Sequence, residues 1–403
     1  MYQYIKNGSV TSTKGFKAAG IHCGVKDKSK KSDLALIYSS EPCIVAGTYT
    51  LNKVKAAPLL LSKATVAKSK FVKAVVVNSG NANACTGKQG DLDALAMQKK
   101  CADSLNITQN EVLIASTGVI GQKLPLDKIK NGIDKIVPLL SAKGGIDAAT
   151  AIMTTDTKIK SYAVKVKLSS GTVTIGSICK GSGMIMPNMA TMLAFISTDA
   201  KITKPVLHEL LLDSVKNSFN KISVDGDTST NDMVLLLANG LSGIAINKKS
   251  ADYNSFKEAL GSICISMAKA IASDGEGATK LITINVKSAK TEKEADVVAK
   301  SIANSPLVKT AFYGEDANWG RILSATGQSG ANVNPAKISI SFDKLPVLLP
   351  DYKLVINEVK AAKILAKSEI TITVDLANGK KEATWWMCDL SEDYVKINAN
   401  YRT

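Results

Sequence analysis

Apolar positions recur along the whole chain with a period that switches between two and about 3.6 residues, which predicts a mixed α and β protein. Early strand candidates are residues 33–38, 43–50 and 71–78, and the run Val75-Val76-Val77 suits a strand buried on both faces. A helix follows, with Leu92, Leu95, Ala96 and Ala102 expected on its inner side. Residues 111–115 form a strand expected to stop at Ser116-Thr117-Gly118, and Leu126, Ile129, Ile133 and Ile136 mark another amphipathic helix. Val164, Val166 and Leu168 alternate with lysines, Ser169-Ser170-Gly171 turns, and residues 172–178 return as a hairpin. An apolar segment follows at 191–197, then a helix capped by Thr203 with Pro205 in its first turn and Leu207, Leu210 and Leu211 inward. A strand at 233–238 and a long helix at 253–271 complete this stretch.

The texture changes after Gly277. A strand at 281–287, a Lys/Glu-rich helix at 291–303 and shorter strands at 337–342, 369–375 and 383–388 read as a smaller α+β unit. A boundary near residue 280 divides a main domain, 1–280, from a C-terminal domain, 281–403.

Charge changes the picture less than its size suggests. The 403 residues carry 51 basic and 35 acidic side chains, a formal charge of +16, which invites a nucleic-acid reading. Only Arg321 and Arg402 are arginines, however, and arginine is the residue that grips phosphates and base edges bidentately. Aromatics at 5% give no stacking platform. A nucleic-acid partner is therefore not expected. No apolar run approaches the ~20 residues of a membrane span, and MYQYIKNGSV lacks the apolar core of a signal sequence. Seven scattered cysteines without a C-x-x-C fit reduced thiols in a cytoplasmic protein, not a disulfide framework or a zinc knuckle, and no metal site is expected. The two histidines, His22 and His208, leave little room for a histidine-based triad.

The candidate chemistry lies after the hairpin. Lys180-Gly181-Ser182-Gly183 offers G-x-G behind a strand, but Met186 and Pro187 stand where a third glycine and a helix entry belong, so the dinucleotide fingerprint fails. Lys180 also occupies the first glycine position of a G-x-S-x-G elbow. Beyond the loop, Thr191 enters an apolar strand after Ala190. Its hydroxyl can attack the Ala190 carbonyl, shift the peptide to an ester, and let water cut the chain. The freed α-amine, with an ordinary pKa of about 7.7–8.0, then serves as the hydroxyl's own base. Such a site needs no histidine. On spacing alone, an ordinary strand-opening threonine is the better reading of Thr191.

Residues 180–193, KGSGMIMPNMATML, resemble the self-cleavage motif of the ornithine acetyltransferase (glutamate N-acetyltransferase) family. The resemblance continues in order through GFKAAGIHCGVK, NSGNANACTG, ASTGVIG, MTTDT, VDGDTSTND, DGEGATK, GEDANWGR and the terminal DYVKINANYRT. It implies cleavage between Ala190 and Thr191 into chains 1–190 and 191–403, with Thr191 as nucleophile. It also implies an oxyanion hole at Thr117 and Gly118. Substrate contacts are implied at Lys180, Glu276, Asn398, Thr403, Thr191 and Thr154, with Thr155 equally open in MTTDT. The Tyr394, Val395, Ile397 and Tyr401 side chains are expected to bury against the protein as the tail folds over the site. Three segments depart from the family pattern: Met186 stands where a small residue is usual, and Trp385-Trp386-Met387 and Ser391-Glu392 also differ.

The implied fold is a layered αββα-type sandwich, within a mixed α/β class, with the smaller C-terminal α/β domain beside it. The implied reaction is ping-pong acetyl transfer from N-acetylornithine through acetyl-Thr191 to glutamate, giving ornithine and N-acetylglutamate. No resident cofactor is expected, and acetyl-CoA stays open as a co-substrate, for which the sequence shows no motif. The implied assembly is a heterotetramer of two α and two β chains. Rival readings are an amidase or aminopeptidase with a similar self-cleaved nucleophile and, more remotely, a basic nucleic-acid-binding protein.

Overall fold

The computed structural model describes residues 1–27, 29–186 and 192–400. The chain divides into two compact units: the first holds 1–181, 187–220 and 227–267, and the second 182–186, 221–226 and 268–403. Chain order through residue 198 is β1 (Tyr2–Tyr4), β2 (Phe16–Ile21), β3 (Leu34–Tyr49), α1 (Ala57–Lys68), β4 (Val72–Asn81), α2 (Gly87–Leu105), β5 (Val112–Val119), α3 (Leu126–Ile136), α4 (Gly145–Ala151), β6 (Lys160–Leu168), β7 (Gly171–Lys180) and β8 (Leu193–Thr198). Then come α5 (Lys204–Lys216), β9 (Ile222–Ser223), β10 (Met233–Ala238) and α6 (Ala251–Ser273).

In the first unit the described strands run β1-β6-β7-β8-β10-β3-β4-β5, with β2 on β3. The two strands expected at 33–38 and 43–50 are one continuous strand, β3. Its first half pairs with β2 and β4, and its second half pairs with β10. The β4 register shifts between Tyr38 and Cys43, around Pro42, which has no N–H to donate. One long strand thus belongs to two sheets that pack face to face. Alternation does the rest. Ala35, Ile37, Val75, Val77, Leu113 and Ala115 share a core with Leu193, Phe195, Met233 and Leu235 of the other sheet. Leu34, Leu36, Val76 and Ile114 point the opposite way, into α2 and α3. On the far side α5 packs on β3 and β10, and the Tyr4 hydroxyl of β1 bonds Ser262 and Ser266 of α6. The layer order is the αββα one the resemblance implies.

Three local expectations change. Leu92 and Leu95 are 57% and 43% exposed; α2 instead buries Asp93, Ala94, Met97, Gln98, Cys101 and Ala102. The strand β5 does not stop at Ser116 but carries Thr117 and Gly118 within it, because β4 continues beside it. Thr203 occupies the cap position of α5, yet its side chain makes no capping hydrogen bond.

The second unit continues with β11 (Leu281–Ala289), α7 (Glu292–Ala303), α8 (Pro306–Tyr313), α9 (Trp319–Gly327), β12 (Ser339–Phe342), β13 (Leu345–Leu349), β14 (Lys353–Leu354), α10 (Glu358–Leu365), β15 (Glu369–Asp375), β16 (Lys381–Cys388) and α11 (Glu392–Ala399). Its described strands run β14-β13-β12-β15-β11-β16-β9. Thr291 and Glu294 form a reciprocal capping box at the start of α7, which packs on β11 and β16. Trp385 is buried in this unit's core and donates from Nε1 to Asp296 at 3.1 Å, so the unusual tryptophan pair begins as a core feature of β16. The tail departs from expectation in part: Tyr394 and Ile397 are half-buried, and Tyr401 lies outside the described residues. No described residue of α11 is buried, and Val395 is 65% exposed.

Candidate active site

The parallel pair β4 and β5 runs in register from Ala74–Val112 to Gly80–Gly118, then becomes irregular at Asn81. Gly118 sits at φ +133°, and a Cβ there would lie 2.3 Å from the Gly80 carbonyl carbon and 2.5 Å from Asn81 N. Only glycine fits, on conformation and on space. Buried amides replace the missing ladder. Asn78 Nδ2 donates to Asn81 O at 2.8 Å, and Ser116 Oγ donates to Asn78 Oδ1 at 2.5 Å. Asn231 Nδ2 donates to Ala82 O at 2.7 Å and to Ser116 O at 2.8 Å. These bonds hold the backbone at Ser116, just before Thr117, and at Asn81 and Ala82 of the neighbouring stretch. Asn78 and Asn81 of NSGNANACTG and Asn231 of VDGDTSTND thus serve as scaffold.

Lys180 ends β7 and is buried. Its Nζ donates to Thr154 Oγ1 at 2.8 Å and to Thr117 Oγ1 at 3.4 Å. Each hydroxyl accepts through a lone pair and keeps its own hydrogen to give elsewhere. Behind them lies Asp156, fully buried, whose Oδ1 accepts from Lys160 Nζ and from Gly181 N, both at 2.7 Å. Its Oδ2 accepts from Thr154 N at 3.0 Å and lies 3.9 Å from Lys180 Nζ. Burial works against its ionised form, but the ammonium groups of Lys180 and Lys160 outweigh that and hold the carboxyl well below the usual carboxylate range. Sequence reasoning missed Asp156 and Lys160; the only signal was the aspartate inside MTTDT.

Lys26 approaches the same turn. Its Nζ donates to Ser32 O at 2.7 Å and Met153 O at 2.8 Å. Burial lowers its pKa to about 8; Asp33 opposes that shift and Lys180 adds to it. Asp33 is itself fixed by the Cys23, Gly24 and Lys26 N–H groups. His22, partnerless in sequence, has Nδ1 3.2 Å from the Asp33 carboxylate and 2.9 Å from Lys31 O.

The second unit carries a separate group. Glu276 is buried, and its N donates to Ser182 O at 3.0 Å, while Ser182 Oγ donates to Asp274 O at 2.7 Å. Asn398 Nδ2 donates to Glu276 Oε2 at 2.8 Å. The base of the tail is pinned beside it. Ser391 Oγ donates to Gly277 O at 2.6 Å, and Asp389 Oδ1 accepts from Thr279 N and Lys280 N. The glycine-rich loop is committed to the protein itself, since Met184 N and Ile185 N donate to Asp225 at 2.6 and 2.8 Å.

The structure therefore brings Thr117, Gly118, Thr154 and Lys180 together in one unit, and Glu276 and Asn398 in the other. Ala190, Thr191 and Thr403 lie outside the described residues. Among the described residues no cluster of His, Cys, Asp or Glu could hold a metal ion, and no helix is long and apolar enough to cross a membrane. All seven cysteines are free.

The sequence profile of the ArgJ family matches residues 17–403. The arginine biosynthesis bifunctional protein ArgJ of Oceanobacillus iheyensis is 48% identical over 403 residues, covering 99% of this chain and 97% of that protein. ArgJ 1 of Clostridium acetobutylicum, of the same description, is 51% identical over 404 residues, covering 99% and 98%. Among solved structures, ornithine acetyltransferase of Mycobacterium tuberculosis complexed with ornithine is 36% identical, covering 47% of this chain and 99% of that one, with a TM-score of 0.43. Profile and full-length identity agree, and the chain belongs to the ArgJ family.

Proposed function

We propose that this protein is a self-processing glutamate N-acetyltransferase that moves acetyl from N-acetylornithine to glutamate. Membership of the family makes it an acetyltransferase of arginine biosynthesis. The observation that carries the site assignment is the Lys180 ammonium joined to the Thr154 and Thr117 hydroxyls, with Gly118 next in the chain.

In this reading the chain cuts itself between Ala190 and Thr191. The Thr191 hydroxyl attacks the acetyl carbonyl, and its free α-amine takes the proton. The oxyanion forms against the Thr117 hydroxyl and the Gly118 N–H. The C–N bond breaks, the proton passes to the departing nitrogen, and ornithine leaves an acetyl ester on Thr191. Glutamate's amine attacks that ester, and the threonine oxygen recovers a proton. One acetyl bond to nitrogen replaces another, so no external energy source is required. Lys180 and Thr154 hold the amino-acid end of the substrate, with Lys180 suited to a carboxylate. Glu276, Asn398 and Thr403 are further substrate contacts. We place acetyl-CoA as a second acetyl donor, which fits the bifunctional name carried by relatives. A cytoplasmic location and a heterotetramer of two α and two β chains complete the reading.

Purified protein incubated with glutamate and either N-acetylornithine or acetyl-CoA tests it. N-acetylglutamate is expected from both donors, and its formation from N-acetylornithine alone would remove acetyl-CoA from the reading. Acetate released from N-acetylornithine at the same rate without glutamate would instead identify a hydrolase.

A further inference from the structure

Asp156 and Lys160 are 6% and 1% exposed, and their side chains are sealed from solvent at 0% and 1%. Lys160 opens β6 opposite Cys179 in the hairpin, and Asp156 precedes it in the turn leading into that strand. A buried ion pair seldom repays its desolvation, and apolar residues of similar volume often stabilise a fold as well. A stability role is thus a weak reason for this pair to stand where it does.

Its connections give a stronger one. A single carboxylate ties two backbone N–H groups, Thr154 N in the turn and Gly181 N just past β7, to one side-chain ammonium, Lys160 Nζ on β6. Two of those anchor points belong to, or adjoin, the residues of the Lys180–Thr154 hydrogen bond. Displacing the carboxylate releases both ends of that bond together. Lys180 and Lys160 together supply the counter-charge that keeps the carboxylate ionised in a closed environment.

We infer that Asp156 and Lys160 are a positioning pair that sets where Lys180 and Thr154 stand, and through them the affinity for the amino-acid substrate. This rests on the functional reading above. Among the described contacts, the Asp156 carboxylate holds Thr154 N and Gly181 N, and Lys160 holds that carboxylate.

The test compares wild-type protein with Asp156→Asn, Lys160→Met and the double variant. Readouts are the melting temperature, ornithine affinity by calorimetry, and kcat and KM for exchange. Each single variant removes one charge of a buried ion pair and is expected to melt earlier. The double variant removes both charges of the pair while Lys180 keeps its own, so its melting temperature is expected to recover in part. Its ornithine Kd and its KM are expected to stay raised, by up to about a hundredfold for a contact displaced by an ångström. A double variant with wild-type Kd and KM would show the pair to be purely structural and overturn the proposal, as would wild-type protein that binds no ornithine. Wild-type protein that binds ornithine but exchanges no acetyl would overturn the functional reading while the affinity comparison still decides the role of the pair.

Discussion

The carboxylate of Glu276 occupies the space in which a side chain at Gly183 would begin: a Cβ built there lies 2.4 Å from Glu276 Oε2. The glycine that resembles part of a phosphate loop in sequence is thus a recess for an acid. Gly183 has no positive φ, so alanine is acceptable to the backbone and the clash falls on Glu276. Gly183→Ala is expected to displace that carboxylate and raise KM, by about tenfold or more for a misplaced substrate contact. Steady-state kinetics on the fully cleaved variant is the check. An unchanged KM would remove Glu276 from the substrate contacts.

Thr117 and Gly118 call for different substitutions. Alanine at Gly118 meets both a left-handed backbone and the Gly80–Asn81 main chain, so Gly118→Ala is expected to lose folding and activity together. Thr117→Val keeps the shape and removes the hydroxyl. It is expected to lower kcat by about 10²–10³, the usual cost of one oxyanion donor, with the melting temperature little changed. If KM rises instead and kcat holds, Thr117 binds substrate and does not stabilise the oxyanion.

The α/β class was legible because it depends on local periodicity, and Val75–Val77 announced a strand covered on both faces. The merging of two strands into β3 was not, because Pro42 reads as a break while the partners on either side keep the strand continuous. The face of α2 was misjudged for a related reason. Leucine is the obvious inward residue, yet Met97 and Cys101 meet the sheet. The site shows the same division. Lys180 and Thr154 carry recognisable motifs, whereas Asp156 gains its role only when a turn, β6 and β7 converge on one carboxylate. Asn231 bonds backbone more than a hundred residues away, which no local pattern encodes.

Asp156 also predicts an acid limb. Its folded-state pKa is depressed, so its ionised form adds stability above the unfolded value of about 3.9, and that contribution is lost as pH falls from there through the folded value. Melting temperature followed below pH 5 is expected to fall less steeply in the Asp156→Asn, Lys160→Met double variant than in wild type. Parallel curves would mean that other carboxylates set the acid limit.

Activity is expected to rise with pH through about 8, because the α-amine of Thr191 must be unprotonated to accept the hydroxyl's proton and its ordinary pKa is about 7.7–8.0. Lys26 titrates in the same window, at about 8, so a rising limb alone does not identify its source. The two groups differ in covalent history. The amine exists only after cleavage, and Thr191→Ala is expected to remain one uncut, inactive 403-residue chain by intact mass. Thr191→Ser retains a hydroxyl and an amine and is expected to keep part of both cleavage and transfer. Lys26 donates to the Ser32 and Met153 carbonyls, and the proposed proton transfer does not use it. Lys26→Met is therefore expected to keep the rising limb at its original pH, whatever it does to rate. A limb that vanishes in Lys26→Met would assign the titration to the lysine and leave the amine without its role as base.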